Sequence, residues 1–352
     1  MRARHRATLG VLAIAIGAGG LAAVLAGQSP RAATQSAAVA RTPWGEPDLN
    51  GIWQVGYVFT PLERPKELAA KAFLTDDEVT ALERDHAQKF GGDGAGGRAR
   101  AKRGTDDDVA GAYNQAFSKG GAHEKVIRTK RTSLIVDPPD GRIPPLTAEG
   151  ETRAAALRRN APNEFGPGGI ADHPEQRRND RCMGTTLPFI QGVSSGARRI
   201  VQSPGSVAIF MEDGHVGGAY RVIPVGKQPH LPSELRQYLG DSRGLWDGET
   251  LVVEVKNFSD KTNFQGSTEN LTLVERYTRT GPDLLTLRIT VEDASTFTRP
   301  WTIELPLTKL DEKANQIYES SCHEGNYALT SILAGARAME REKKAGAATR
   351  TR

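Results

Sequence analysis

The chain has 352 residues, with 46 Lys+Arg against 42 Asp+Glu, 38 glycines, 20 prolines and two cysteines. About one residue in six is glycine or proline, which favours a loop-rich β architecture over a helical bundle. Two cysteines exclude a Cys-rich zinc domain, an iron–sulfur cluster and a multi-disulfide scaffold. The formal charge of +4 arises wholly at the N-terminus, where residues 1–40 carry Arg2, Arg4, Arg6 and Arg31 and no acid. The remainder is neutral, so the charge does not point to nucleic acid.

Arg2, Arg4, His5 and Arg6 precede an apolar run, Leu9–Ala26, that ends in the small-residue site Val24-Leu25-Ala26. Residues 1–26 therefore read as an export signal. An uncleaved anchor is the other reading, weakened by four glycines inside the run. No other apolar run approaches the length of a span, so no membrane span follows the signal.

Residues 27–47 read as a linker. Residues 48–90 hold a first strand (54–59), a short helix (65–72) and a second helix from Thr75, where Thr75 and Glu78 have capping-box spacing. These elements are expected to pack on the main β domain. Residues 91–122 are Gly-rich, with Lys/Arg runs and Asp106-Asp107-Asp108, and read as a flexible insertion. Residues 123–345 form the main domain, and 346–352 a disordered tail. Within the main domain, 131–136 reads as a strand ending in the turn Asp137-Pro138-Pro139-Asp140-Gly141. Thr147 caps a helix to about Arg159. Residues 160–198 are irregular.

From Ile200 the apolar period becomes two. Pro204-Gly205 and Asp247-Gly248 mark hairpins. A helical turn is expected over 232–239, and the last strand over 316–322. The result is about eight short strands in an antiparallel meander, followed by an amphipathic helix on Leu329, Ile332, Leu333, Ala336 and Met339. The fold class is mainly β: an antiparallel barrel or strongly curved sheet with peripheral helices and a C-terminal helix.

Alternation also shows which side chains point inward. Leu285, Leu287, Ile289 and Val291 share a face, as do Trp301, Ile303 and Leu305. On the preceding strand the apolar row holds Leu271, Leu273, Glu275 and Tyr277. A carboxylate in such a row either meets an arginine inside, or keeps a raised pKa and exchanges protons near neutrality. His323, beside Gly325 at a strand-to-helix junction, is the best general acid/base candidate, with capping or packing as the other reading. Cys182 and Cys322 are a candidate disulfide in an oxidising compartment. The competing reading makes Cys322 a nucleophile beside His323. Asp213, His215, Arg221 and His230 cluster in sequence, but no metal-ligand spacing joins them. Neither a metal nor an organic cofactor is expected.

Gly51-Ile52-Trp53 at the first strand, followed by the meander and a C-terminal helix, resembles the G-x-W entry of lipocalin-type barrels. That resemblance implies a cup lined with apolar groups, able to hold a small apolar or aromatic molecule. Nearly the whole mature chain also resembles a large family of exported bacterial hypothetical proteins. The matching runs are Leu62-Glu63-Arg64-Pro65, Asp137 to Leu146, Gly240 to Gly244, Trp246-Asp247-Gly248, Val274 to Arg279, Arg299-Pro300-Trp301 and Cys322 to Tyr327. This second resemblance implies export and supplies no chemistry.

The function expected is an exported, metal-independent enzyme, a lyase, isomerase or hydrolase, acting on a small apolar or aromatic molecule in the barrel. His323 and Glu275 would transfer the proton. Arg142, Arg181 or Arg276 would hold an anionic group, with Tyr277, Trp246, Trp301 and His230 lining the site. The alternative is a periplasmic small-molecule binding protein of the same fold, without catalysis.

Overall fold

Period-two alternation leaves each strand with one apolar side, and those sides must turn away from water together. The computed structural model describes residues 40–55, 60–90, 129–160, 182, 184–190, 197–212, 218–262, 264–314, 317, 322–323 and 325–350. Its strands are β1 (Gly51–Gln54), β2 (Ile135–Asp137), β3 (Ala197–Ser203), β4 (Ser206–Met211), β5 (Ala219–Pro224), β6 (Asp241–Asp247), β7 (Thr250–Lys256), β8 (Thr272–Gly281), β9 (Leu284–Glu292) and β10 (Trp301–Lys309). The helices are α1 (Asp76–Phe90), α2 (Ala148–Asn160) and α3 (Ala328–Arg350), with a 3-10 turn at Lys66–Leu68.

The sheet runs β5-β4-β3-β1-β10-β9-β8-β7-β6, and β2 pairs with β10 off this path. Every neighbouring pair on the path is antiparallel. An odd number of strands so joined leaves the two end strands pointing the same way, so their seam has to be parallel. The ends do meet in that sense, through a parallel bridge between Val225 and Gly244. The Gly226 N–H donates to the Gly244 carbonyl at 2.8 Å. The sheet is thus a nearly closed, nine-strand antiparallel barrel with one parallel seam.

The inner wall is the expected apolar face. It holds Ile200, Ile209, Ile223, Val253, Leu273, Leu287, Ile289, Ile303 and Leu305, all buried. Full burial of each such side chain contributes roughly 1.5–3 kcal/mol. Trp53 of the Gly51-Ile52-Trp53 run is fully buried, and its indole N–H donates to the Leu49 carbonyl at 2.8 Å. At Gly51 φ is +137°, a backbone angle that calls for glycine, while a Cβ there would meet chiefly the flexible end of Lys309.

Thr75 and Glu78 form the expected capping box on α1: the Glu78 carboxylate accepts from the Thr75 N–H at 2.8 Å, and the Thr75 hydroxyl accepts from the Glu78 N–H at 3.3 Å. Thr147 caps α2 by accepting from the Gly150 N–H at 3.0 Å.

Several local expectations change. The 65–72 segment forms only the 3-10 turn. The 232–239 segment is a pair of turns, and the prolines at 229 and 232 leave little N–H capacity for a helix there. Ile317 and Cys322, the described residues of the expected strand over 316–322, lie outside any strand. The C-terminal helix continues through Arg350, so the tail expected from residue 346 is helical up to that point. None of the described α3 side chains is buried. The segments read as an export signal (1–26) and as an insertion (91–122) lie outside the described residues.

Candidate functional site

β8 carries the row Leu273, Glu275, Tyr277 and Arg279 on the barrel's inner side. Glu275 is 1% exposed, so the carboxylate singled out by alternation does sit among apolar neighbours. Of the two fates open to it, it meets an arginine. Arg221 of β5 reaches across the seam. One terminal nitrogen donates to the Ser242 hydroxyl of β6 at 3.0 Å; the other donates to Glu275 Oε2 and to the Tyr277 hydroxyl, the latter at 3.2 Å. The Tyr277 hydroxyl donates in turn to the same Glu275 oxygen at 3.0 Å.

A second guanidinium lies on the same inner face. Register places Arg198 opposite Met211, and Met211 opposite Ala219; Arg221 stands opposite Ile209, itself opposite Ile200. The two arginines therefore occupy neighbouring inward rows. Arg198 is 1% exposed, donates to the carbonyls of Phe189 and Ile190, and lies 4.6 Å over the Phe189 ring.

Burial pushes Arg198 down to about 10, against the pull of Tyr277 and Glu275. Burial also works against the Arg221 charge, but the Glu275 carboxylate and Tyr277 hold it above the usual arginine range. Burial, and then the Glu275 charge, push the Tyr277 phenol well above its ordinary value. At neutral pH both guanidinium groups are cations and the Tyr277 phenol is neutral.

The other expected site residues are dispersed. His323 is exposed beside Cys322, whereas Glu275 is buried with its hydrogen bonds to Arg221 and Tyr277. Arg276, one step along β8 from Glu275, faces outward and pairs with Asp247 at 2.7 Å. Arg142 is half-buried in the loop after β2. Arg181 lies outside the described residues, as do Asp213 and His215. Trp301 is fully buried, stacked on Phe264 at 5.9 Å and edge-on to Phe297 at 5.5 Å. Trp246 is half-buried against the core.

His230 belongs to a separate network. Its ring nitrogens lie 2.8 Å from Asp241 and 2.9 Å from Glu254, with Arg243 and Lys256 each 2.7 Å from those two acids. Cys182 and Cys322 are disulfide-bonded, with Cα atoms 5.7 Å apart, which removes Cys322 as a nucleophile.

The sequence reading leaves Arg198 out and groups Arg221 only with Asp213, His215 and His230. The same alternation that exposed Glu275 applied to them, since Arg198 shares a row with Ile200 and Arg221 with Ile223. Arg221 stood beside a glycine-rich stretch that drew attention to metal ligands instead.

No family model matches the chain, and no curated protein does. Among solved structures it is similar to the crystal structure of a mutant of the fluorescent protein UnaG. The match has 13% identity and a TM-score of 0.23, and covers 38% of this chain and 86% of that one. Fold and cluster together define the class: a nearly closed antiparallel β-barrel with a charged, hydrogen-bonded group on its apolar inner wall.

Proposed function

We propose that this chain is an exported binding protein that holds a small apolar or aromatic molecule within the barrel. The observation that carries this reading is the Arg221–Glu275–Tyr277 network on an otherwise apolar wall. Small-molecule sites are composed in this way, mostly of apolar surface with a few fixed polar groups that orient the occupant. Binding is favoured over catalysis because Glu275 is buried and engaged by a cation and a phenol, while His323 is exposed. Export is supported by the disulfide, which suits an oxidising compartment, and by the resemblance to an exported family. Among the described residues no helix is long and apolar enough to cross a membrane.

The test is native mass spectrometry of the full chain, purified without denaturation, alongside titration with the neutral dye phenylnaphthylamine. A co-purified small molecule, or saturable one-to-one dye binding by the folded protein, is expected. Absence of both overturns the reading.

A further inference from the structure

Buried polar groups in folded proteins nearly always find a partner, and one that does not is costly. Among the described residues three buried side-chain N–H groups have no acceptor: Arg221 Nε, Trp246 Nε1 and Trp301 Nε1. All three belong to inward positions of the barrel. Arg221, 7% exposed, stands opposite the buried Ile209 of β4. Trp246 stands opposite Leu251, which pairs with Tyr277 on the next strand. Trp301 stands opposite Val291, in the inward row that runs through Leu273 and Val255 to Ser242. β5 and β6 flank the seam, while β10 lies four strands from β6 along the path, so the unspent donors come from two walls. The head of Arg221 is fixed meanwhile: its terminal nitrogens hold Ser242, Glu275 and Tyr277.

Resting on the binding reading above, we infer that the barrel's occupant is a neutral apolar molecule bearing a carbonyl oxygen, a ketone or quinone in class, which accepts from these unspent donors. A hydrocarbon would leave all three unmet. A carboxylate would bring a second acid beside Glu275, the ion-pair partner of Arg221. An indole N–H is a neutral donor with no acceptor capacity, so it is matched by an oxygen lone pair and not by a hydroxyl or amine hydrogen. Trp246 and Trp301 thus enter the site through their N–H groups as well as their rings.

The test uses the full wild-type chain labelled with heavy nitrogen, and two probes that share a ring system, acetylnaphthalene and ethylnaphthalene. Each competes with the dye phenylnaphthylamine, and each is followed by nuclear magnetic resonance of the assigned side-chain N–H groups. Acetylnaphthalene should displace the dye and move the proton of at least one of Arg221 Nε, Trp246 Nε1 and Trp301 Nε1 downfield, as a new hydrogen bond does; ethylnaphthalene should move none of them in that sense. The Trp53 indole, already bonded to the Leu49 carbonyl, is the internal reference and should respond alike to both. A ketone that displaces the dye but leaves the three protons where the hydrocarbon leaves them, as it would if bound water already served them, overturns the inference and leaves the binding reading standing. A saturating dye that the ketone fails to displace does the same, as does a co-purified molecule without a carbonyl oxygen. A dye that does not saturate, with no co-purified molecule, overturns the binding reading, and the inference with it.

Discussion

Arg221 and Glu275 meet inside the barrel although they stand on strands separated by β6 and β7, and on opposite sides of the seam. On its way Arg221 also holds Ser242 of β6, the strand it must meet for the barrel to close. One side chain therefore ties the two end strands of the path together and anchors them to the wall. The backbone contributes little here, a parallel bridge at Val225 and Gly244 with one further hydrogen bond. A buried ion pair adds little net stability over an apolar pair, because desolvation offsets attraction. Its value here is in specifying which strands meet.

Glu275→Gln is the direct test of that tie. The substitution leaves Arg221 buried without its carboxylate partner. Breaking a buried pair from one side costs about 3–5 kcal/mol, and that loss is expected in chemical denaturation. Replacing both partners, as Arg221→Met with Glu275→Leu, should recover most of it. A single variant as stable as wild type would show that the pair is solvated in solution.

The barrel was legible because period two survives from β3 to β10, so every inward row could be counted. Glu275 and Tyr277 were found by that count. Arg198 falls in the segment 160–198 that reads as irregular, whereas β3 already begins at Ala197, with Arg198 pointing in and Arg199 out. His323 drew attention through its neighbours in sequence. It was expected just past a strand over 316–322, whereas Cys322 is held to Cys182 outside any strand and His323 is exposed. The seam could not be read at all, since a parallel contact across a long turn leaves no local pattern.

Gly244 should be the most sensitive glycine of the seam. A Cβ there would lie 3.1 Å from Ile223 Cγ2 and 3.2 Å from Val225 Cγ2, so a larger side chain has to push β5 away from β6. Gly244→Val is expected to destabilise by about 1–3 kcal/mol through overpacking. It should also speed hydrogen exchange at the Gly226 amide, whose acceptor is the Gly244 carbonyl. Unchanged protection at that amide would mean that the seam adjusts without opening.

Asp293 sets a limit at acid pH. Burial raises its carboxyl, but the Ser295 and Thr296 hydroxyls, each at 2.7 Å, and the Ser295 N–H at 2.9 Å outweigh this and hold it below the ordinary range. A carboxyl lowered on folding contributes stability that is fully present above its unfolded value, about 4, and is lost as pH falls through the folded one. Thermal unfolding should therefore move to lower temperature below about pH 4. Asp293→Asn should be less stable than wild type at neutral pH and show a shallower decline in acid. Equal slopes for the two proteins would exclude Asp293 as a contributor.

The disulfide permits a sharper test, because it separates two chemistries for one residue. Cys182 and Cys322 are 140 residues apart, and the loop they close contains every barrel strand from β3 to β10. In the chain-entropy model such a crosslink stabilises by about 4 kcal/mol, by restricting the unfolded chain. Replacing both cysteines with serine should cost an amount of that order in denaturant unfolding. Iodoacetamide should leave the native, unreduced protein unlabelled and add two groups after reduction and unfolding. If Cys322 were instead a thiolate nucleophile beside His323, the native protein would take up label at neutral pH and Cys322→Ser alone would leave stability nearly unchanged.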